Sequence, residues 1–503
     1  MLSSFFLSLF FRFIHKSTLI MSKDILGLKP EGMWRYFHEI TEVPRPSKKE
    51  DKIREYLINF GSKFNLETIV DEIGNVLIRK GGTHGMEDHK TVVLQSHMDM
   101  VCEKNSDIDF DFDNDAIITH IDGEWLKATG TTLGADDGIG IAASLALLES
   151  DDYAHPPIEA LFTMDEETGL TGAFGLKNDL LKGTILLNLD SEDEGEIFIG
   201  CAGGRDTIAE LAISYKHISG KITARIDVKG LNGGHSGDDI QKGYGNANKL
   251  LNRILFDARK ELNIDVNKID GGNLRNAIAR EAYAIILIDG NKYDKLAELV
   301  AKFKAIFQSE YHKTELNITA EISKTDNVNT AINEIDNIIQ ATYACPHGVL
   351  AWSQDIDDFV ETSTNLASLK VDNEKFIFVT SQRSSVGSAL DDACNMVASA
   401  FNAIGAVTVH TDGYPGWAPN PKSEILDIAR ESYIHLFKNE PKVLAIHAGL
   451  ECGLIGETYP EMDMISFGPT IKGAHSPDER LLINTAQMFW DHLLDILKKI
   501  PKV

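Results

Sequence analysis

The sequence predicts an α/β fold in which one domain, with a mostly parallel sheet flanked by helices, is interrupted by a large α+β domain. Apolar runs and helical stretches alternate over the first part of the chain, which is typical of a parallel sheet covered by helices. Residues 222–228 then alternate strictly between apolar and polar, as in an antiparallel strand with one wet face. The first pattern returns from about Pro421.

The first part of the chain begins with helical periodicity over residues 31–62. A second apolar helical stretch covers residues 139–148. Four short apolar runs predict strands that are buried on both faces: residues 75–78, 91–94, 158–163 and 184–189.

The interrupting stretch is predicted to continue with helices and strands in alternation. Helices are expected at about 246–262 and 295–311, and strands at 282–288 and 318–322. The stretch covers roughly 210 residues, whereas one sheet with two helices needs only about 100. We therefore expect two such units side by side.

The last part of the chain is predicted to rejoin the first domain, with a strand at residues 462–467. The segment Ser476-Pro477-Asp478-Glu479 has the pattern of a capping box with proline at the first helical position. This pattern predicts that the last helix begins there.

Composition excludes some classes of partner. The 503 residues include 49 Lys and Arg against 76 Asp and Glu, a formal net charge of −27. Such a field repels nucleic acid and anionic membranes, so neither nucleic-acid binding nor stable membrane association is expected. The five cysteines are scattered and form no Cys-X-X-Cys pair. They indicate free thiols in a reducing compartment, which favours the cytoplasm.

Residues 1–20 are interpreted as a dispensable N-terminal extension. Their longest uninterrupted apolar run, Phe5 to Phe11, is much shorter than the ~20 residues that span a membrane. The segment lacks the basic start and the small-residue cleavage site of a signal peptide, although a weak signal anchor is the alternative. Met21 opens a polar segment with the character of a natural start.

Several apolar strands end in residues that bind metals. His97 and Asp99 follow the run 91–94 and lie two positions apart, so both side chains can face one cavity. A neutral imidazole is a good zinc ligand, and a carboxylate commonly holds its other nitrogen. Taken alone, two such residues are more often a pair on the protein surface.

Paired acids recur at two further strand or helix ends. In Gly-Ala-Asp136-Asp137-Gly, one acid can cap the following helix while the other binds a metal. After the run 158–163, the side chains of Glu166 and Glu167 diverge, so one can bind a metal while the other reaches the substrate water. Each motif alone is also explained by a capping acid or an acidic turn.

Two isolated residues complete the set. Asp190 ends the strand at 184–189, and His475 lies just before the predicted last helix. A loop histidine alone is more often solvated than bound to a metal. Together, however, these residues form a ligand set suited to two divalent ions that share one carboxylate: His97, Asp136, Glu167, Asp190 and His475.

At this point the sequence resembles a known family, the dinuclear zinc peptidases related to aminoacylase and glutamate carboxypeptidase. Within it, the chain is most similar to the aminoacyl-histidine dipeptidases, also called Xaa-His or cytosol non-specific dipeptidases. The resemblance extends from Met21 to the end of the chain. It is carried by SHMDMV, DGEWLKATGTTLGADDGIG, DEETGLTGA, LLNLDSE, GLNGGHSG, LECG and GAHSPDER.

The resemblance implies a role for each metal ligand. His97 and Asp190 would hold one metal, Glu167 and His475 would hold the other, and Asp136 would bridge the two. The metals are expected to be zinc, with cobalt or manganese as substitutes. The domain bounds implied are a catalytic domain in two parts, 21–203 and 421–503, and a lid domain at 204–420.

The resemblance also implies a reaction, the hydrolysis of dipeptides, including Xaa-His, by a metal-bridging hydroxide. Asp99 would orient His97, and Glu166 would be the general base. From the lid domain, His235 would reach the substrate carbonyl and Arg383 the substrate carboxylate. Small peptides are the expected partners, with a homodimer as an alternative to a monomer.

Two other functions remain open at this stage. A tripeptide aminopeptidase or an N-acyl amino-acid deacylase of the same superfamily would have the same metal ligands. A non-catalytic, metal-stabilised binding protein is the alternative from another class, which the presence of Glu166 disfavours.

A chain that starts at Met21 is expected to fold and to have full activity, because residues 1–20 contribute nothing to the predicted fold. The measurement compares the activity and thermal unfolding of this shortened chain with those of the full chain. Loss of activity in the shortened chain alone would give the extension a function.

Overall fold

The computed structural model describes residues 24–503, and the predicted extension of residues 1–20 lies outside this range. Two compact units divide the described residues. The first contains the described residues up to Gly200, Asn420–Leu444 and Leu454–Val503. The second contains Cys201–Pro419 and Ala445–Gly453, so the segment 445–453 belongs to it rather than to the C-terminal part of the first unit.

The helices begin and end as follows, in chain order: α1 Glu31–Thr41, α2 Asp51–Lys63, α3 Ala135–Glu149, α4 Glu166–Gly169, α5 Thr171–Phe174, α6 Ala247–Leu262, α7 Tyr293–Glu310, α8 Ile335–Ala344, α9 Gly387–Asn402, α10 Glu424–Phe437, α11 Glu451–Thr458 and α12 Ile483–Lys498. Between residues 24 and 503, no helix combines the length and the apolar character needed to cross a bilayer.

The strands lie between them: β1 Glu67–Val70, β2 Val76–Lys80, β3 Val92–His97, β4 Thr119–Asp122, β5 Trp125–Ala128, β6 Ile158–Thr163, β7 Ile185–Asn188, β8 Glu196–Cys201, β9 Gly203–Ala212, β10 Tyr215–His217, β11 Ile222–Lys229, β12 Asp265–Gly271, β13 Ala282–Ile288, β14 Thr319–Lys324, β15 Thr330–Ile332, β16 Gly348–Trp352, β17 Val360–Asp372, β18 Lys375–Ser384, β19 Val407–His410, β20 Lys442–Ile446, β21 Asp463–Ser466, β22 Ile471–Lys472 and β23 Arg480–Leu482.

The main sheet of the first unit has the strand order β1-β2-β6-β3-β7-β21-β8-β20. Its centre is parallel, since β3 pairs in parallel with β6 and β7, and β7 with β21. The strands towards its edges are antiparallel. All residues of β3 and β6 are buried, as expected for parallel strands covered on both faces. The predicted fold class is confirmed.

This sheet brings distant parts of the chain to one edge. His97 is the last residue of β3, and the pairing of β3 with β6 sets it beside Thr163. The acids of residues 165–167 directly follow β6, and Asp190 comes two residues after β7. Because the carboxyl ends of parallel strands meet at one edge, ligand sites gather there.

The large sheet of the second unit is built from two similar halves. Its strand order is β14-β11-β13-β12-β17-β18-β9-β19, with β16 paired to β17. One half contains β11, α6, β12, β13, α7 and β14 in chain order, and the other contains β9, α8, β17, β18, α9 and β19. The halves join where β12 pairs with β17. The expectation of two sheet-and-helix units side by side is confirmed.

The predicted start of the last helix is wrong. Residues 480–482 form strand β23, which pairs with β5, so the backbone after Glu479 is extended rather than helical. Helix α12 begins only at Ile483. Glu479 does not cap that helix, and its carboxylate has other partners near the predicted ligands.

Candidate metal centre

His97 lies at the centre of a cluster of carboxylates. Its Nδ1 is 3.3 Å from Oδ1 of Asp99, which follows His97 by two residues. Its Nε2 points the other way, 3.0 Å from Oδ1 of Asp136 and 3.4 Å from Oδ1 of Asp190. His97 and Asp99 are fully buried. One imidazole therefore joins residues from three separate segments.

Asp136 faces two histidines at once. Its Oδ1 is 3.0 Å from Nε2 of His97, and its Oδ2 is 3.1 Å from Nε2 of His475. The neighbouring Asp137 does something different, because its Oδ1 accepts the amide N–H of Gly140 at 3.2 Å. The expectation that one acid of this pair caps the helix is confirmed, and the other acid lies between the histidines.

Glu167 and His475 complete the cluster on its other side. Nε2 of His475 is 3.0 Å from Oε2 of Glu167. The side chain of His475 is 53% exposed, whereas that of Glu167 is 4% exposed. The five predicted ligands are therefore brought together, and one face of the cluster is open to solvent.

The concentration of carboxylates changes the protonation of the cluster. Hydrogen bonds to Asp136 and Glu167 raise the pKa of His475 to about 11. Burial raises the pKa of Asp190 well above its ordinary value, and the nearby charge of Asp136 adds to this effect. Burial alone would lower the pKa of His97, but its carboxylate neighbours raise it. The carboxylates of the cluster thus favour the uptake of positive charge, whether from protons or from a cation.

The spacing of these side chains fits divalent ions. For bonds of about 2.0–2.1 Å to nitrogen and oxygen, neighbouring ligand atoms of a tetrahedral zinc lie about 3.3 Å apart. The four histidine–carboxylate distances range from 3.0 to 3.4 Å. Two histidines with carboxylates are also a donor set that zinc accepts. The residues therefore fit two ions, with Asp136 between them.

Asp99 connects the histidine to the turn that carries the paired glutamates. Its Oδ1 accepts the amide N–H of Glu166 at 3.1 Å, and its Oδ2 accepts that of Glu167 at 3.3 Å. Oδ2 also accepts the hydroxyl of Ser47 at 2.7 Å. These contacts were not predicted, because backbone amides carry no signal in the sequence. Asp99 therefore holds His97 and the start of helix α4 in a fixed relation.

The first acid of the Asp-Glu-Glu triplet has a separate role. Asp165 is buried with a left-handed backbone, φ 51°. Its carboxylate accepts the hydroxyl groups of Thr168 and Thr171. Its amide N–H donates to Glu50 at 3.0 Å. These contacts hold the tight turn from which Glu166 and Glu167 follow.

Two buried residues outside the predicted ligand set contact the loop that carries Asp136. Glu479 accepts amide N–H groups of the loop, and Arg45 donates to the carbonyl oxygen of Gly134. Arg45 carried no motif, and the sequence assigned Glu479 to a helix cap. Both contacts join residues that are far apart in sequence, so no local sequence pattern could have predicted them.

The second unit holds a cluster of its own around Arg383. Its Nη2 is 3.4 Å from Nε2 of His235, and its Nη1 donates to the hydroxyl of Tyr414 at 2.9 Å. Nδ1 of His235 lies 3.2 Å from Oδ2 of Asp238. The two residues predicted to contact substrate are thus neighbours. Tyr414 was not predicted, since its TDGYPGW context has no distinctive pattern.

Comparison with known proteins identifies the family. The chain is 43% identical over 481 residues to the cytosol non-specific dipeptidase of Escherichia coli. The aligned region covers 95% of this chain and 99% of that protein. The chain belongs to the cytosol non-specific dipeptidase family. It is therefore a metallopeptidase that hydrolyses peptide bonds, and the alternative of a non-catalytic binding protein is excluded.

Solved structures agree with this membership. The aminoacylhistidine dipeptidase of Vibrio alginolyticus matches with a TM-score of 0.90 and 43% identity, over 96% of this chain and all of that one. A tripeptidase from Staphylococcus aureus shares the fold, with a TM-score of 0.54 and 16% identity over 94% of this chain and 99% of that one. Residues 217–315 match the model of the peptidase dimerisation domain.

Replacing Asp136 is expected to impair both metal sites, because its two oxygens face different histidines. Zinc content should fall from two ions per chain to nearly none in Asp136→Ala and to about one in His97→Ala. Metal analysis after dialysis against a fixed free zinc concentration makes the comparison. Equal zinc content in the two variants would contradict a bridging position for Asp136.

Proposed function

We propose that this dipeptidase-family enzyme hydrolyses dipeptides, including those that end in histidine, with two divalent ions held between its histidines and carboxylates. The observation that carries the proposal is the position of Asp136. Each of its oxygens lies about 3 Å from the Nε2 of a different histidine, His97 or His475. A carboxylate shared in this way suits two ions at bridging distance.

His97 and Asp190 would hold one ion, Glu167 and His475 the other, and Asp136 both. When bound, the ions supply a Lewis acid and lower the pKa of a water molecule towards about 7. Zinc fits this donor set best, and cobalt or manganese can take the same ligands.

Glu166 would act as the general base. It accepts a proton from the attacking water as the new C–O bond forms, and it passes that proton to the leaving amine as the peptide C–N bond breaks. The amide N–H of Glu166 is held by Asp99, which keeps the start of its side chain fixed relative to His97. Glu167, the next residue, points to His475 instead. Two adjacent glutamates thus serve different atoms.

Asp99 would act through His97. Nδ1 of the imidazole faces Asp99, so Nε2, which faces the carboxylates of Asp136 and Asp190, would be the nitrogen that binds an ion. A carboxylate partner of this kind fixes the tautomer and the orientation of a metal-binding histidine. Asp99 is therefore proposed as a positioning residue rather than a ligand.

His235 and Arg383 are proposed to bind the substrate. Their side chains lie 3.4 Å apart, so one small molecule can contact both. A guanidinium group suits the free carboxylate of a dipeptide, and an imidazole N–H suits the carbonyl oxygen that becomes negative in the transition state. A free carboxylate one residue from the scissile bond is what distinguishes a dipeptide from longer peptides.

The compartment and assembly follow from similar reasoning. The relative from Escherichia coli is a cytosol enzyme by name, and the five cysteines of this chain are free thiols, as suits a reducing compartment. We propose a cytoplasmic location. The match of residues 217–315 to a peptidase dimerisation domain supports a homodimer.

Glu166→Gln is expected to retain both metals but lose about 10²–10⁴ in kcat, because the proton acceptor is removed while every ligand remains. Glu167→Gln is expected to lose zinc first. Equal zinc loss in the two variants would refute the division of roles.

The substrate class is tested with a panel of dipeptides, tripeptides and N-acyl amino acids, assayed with zinc, cobalt and manganese. Preference for tripeptides or acyl amino acids would replace the proposed substrate.

His235→Ala is expected to retain both metals and the KM, while kcat falls roughly 10²–10³, the effect of losing one donor to the oxyanion. Steady-state kinetics on one dipeptide measures the split. A nearly normal kcat would remove His235 from the reaction. Mixing this variant with Glu166→Gln under subunit exchange distinguishes the source of the histidine, because recovered activity would place it on a partner subunit.

A further inference from the structure

Glu479 binds a backbone loop with its whole carboxylate. Oε2 accepts the amide N–H groups of Leu133 and Gly134 at 2.7 and 2.9 Å. Oε1 accepts those of Ala135 and Asp136 at 2.8 and 3.3 Å. An ionised carboxylate offers about four acceptor sites, so all are used. The side chain is 2% exposed, and no bond to water is needed to explain its burial.

Arg45 holds the same loop from its carbonyl side. Its Nη2 donates to the carbonyl oxygen of Gly134, and its Nη1 donates to those of Met98 and Asp99. Arg45 is 3% exposed. The guanidinium therefore ties the loop of Asp136 to the segment that carries His97 and Asp99. Gly134 is held at both its N–H and its carbonyl oxygen.

Helix α3 does not fix the conformation of residues 133–136, although its bounds begin at Ala135. Asp136 has φ −80° and ψ 114°, which are not helical values, and Gly134 has φ 68°. These residues therefore need support from other parts of the chain. A Cβ at Gly134 would lie 2.7 Å from Nη2 of Arg45, so the guanidinium packs directly against the glycine. The direction of the Asp136 side chain thus depends on contacts from elsewhere in the chain.

We propose that Arg45 and Glu479 are positioning residues, a clamp that holds residues 133–136 so that Asp136 presents one oxygen to each histidine. Glu479 follows His475 by four residues. One short segment therefore carries both a ligand and the contact that positions the bridging carboxylate. The clamp thereby sets where Asp136 lies relative to His97 and His475. This inference rests on the proposed bridging role of Asp136.

Glu479→Gln tests the clamp with little change in shape. The amide nitrogen of glutamine cannot accept a hydrogen bond, so two of the four loop N–H groups lose their acceptor. We expect both zinc dissociation constants to rise about 10–100-fold, as for other residues that orient metal ligands. The increase in Tm on adding zinc should shrink accordingly, because the stabilisation of the fold by a ligand grows with the logarithm of its affinity. Chelator competition and thermal unfolding, with and without zinc, measure both quantities.

Glu159→Gln is the matched control. Glu159 is also 2% exposed and accepts two amide N–H groups, from Lys182 and Gly183 at 2.8 and 2.9 Å. It contacts none of the predicted metal ligands among the described residues. We expect this variant to lower Tm equally with and without zinc and to leave the zinc dissociation constants unchanged. The pair of variants separates positioning from a general loss of stability.

Arg45→Lys provides a second variant in case Glu479→Gln does not fold. Lysine keeps the positive charge but cannot reach three carbonyl oxygens with one planar group. Weaker zinc binding in this variant supports the clamp, provided that the zinc-free variant and the zinc-free wild type unfold at similar temperatures. Unchanged zinc dissociation constants in the folded clamp variants would overturn it and leave the proposed function intact. Wild-type protein that binds no zinc would overturn both.

Discussion

The carboxylate of Asp136 between His97 and His475 is the contact on which the rest of the site depends. Bringing buried acids together is costly, since each uncompensated charge away from water costs several kcal/mol. In this protein the acids meet two imidazoles at 3.0–3.4 Å, and every pair involves a histidine Nε2. Divalent ions would compensate the charge of such a group, which is the physical basis of the proposed metal site.

The parallel sheet makes this concentration of charge possible. Buried strands β3 and β6 lie side by side, and polar residues begin only where the strands end. The apolar strands fix the edge, and the turn at Asp165 directly precedes the two glutamates. Asp99, Arg45 and Glu479 accept from or donate to backbone groups of the neighbouring loops. Several buried polar side chains at this edge thus hold loops in place.

The sheet of the second unit brings together polar residues that are far apart in sequence. Its sheet joins two halves of like order, and the match to the peptidase dimerisation domain, residues 217–315, covers the first half as far as helix α7. The polar cluster of Arg383, His235 and Tyr414 is assembled from both halves, since Arg383 lies on β18 and His235 follows β11. A sheet that joins the halves at β12 and β17 can therefore bring together residues that lie about 150 positions apart in sequence.

The sequence by itself determined the class of fold, several of its strands and helices, and the five residues proposed as metal ligands. Apolar periodicity is local and survives in one dimension, so strands 158–163 and 282–288 were located to the residue. The proposed ligands were singled out because each follows an apolar strand or a glycine-rich turn. Only the tertiary structure decided which atoms meet. His475 reaches Asp136 across 339 positions, and Glu479 binds amides 343 to 346 positions away instead of capping its own helix. Backbone amides are identical in every residue, so the partner of a buried carboxylate is set by the folded chain and not by any pattern in its letters.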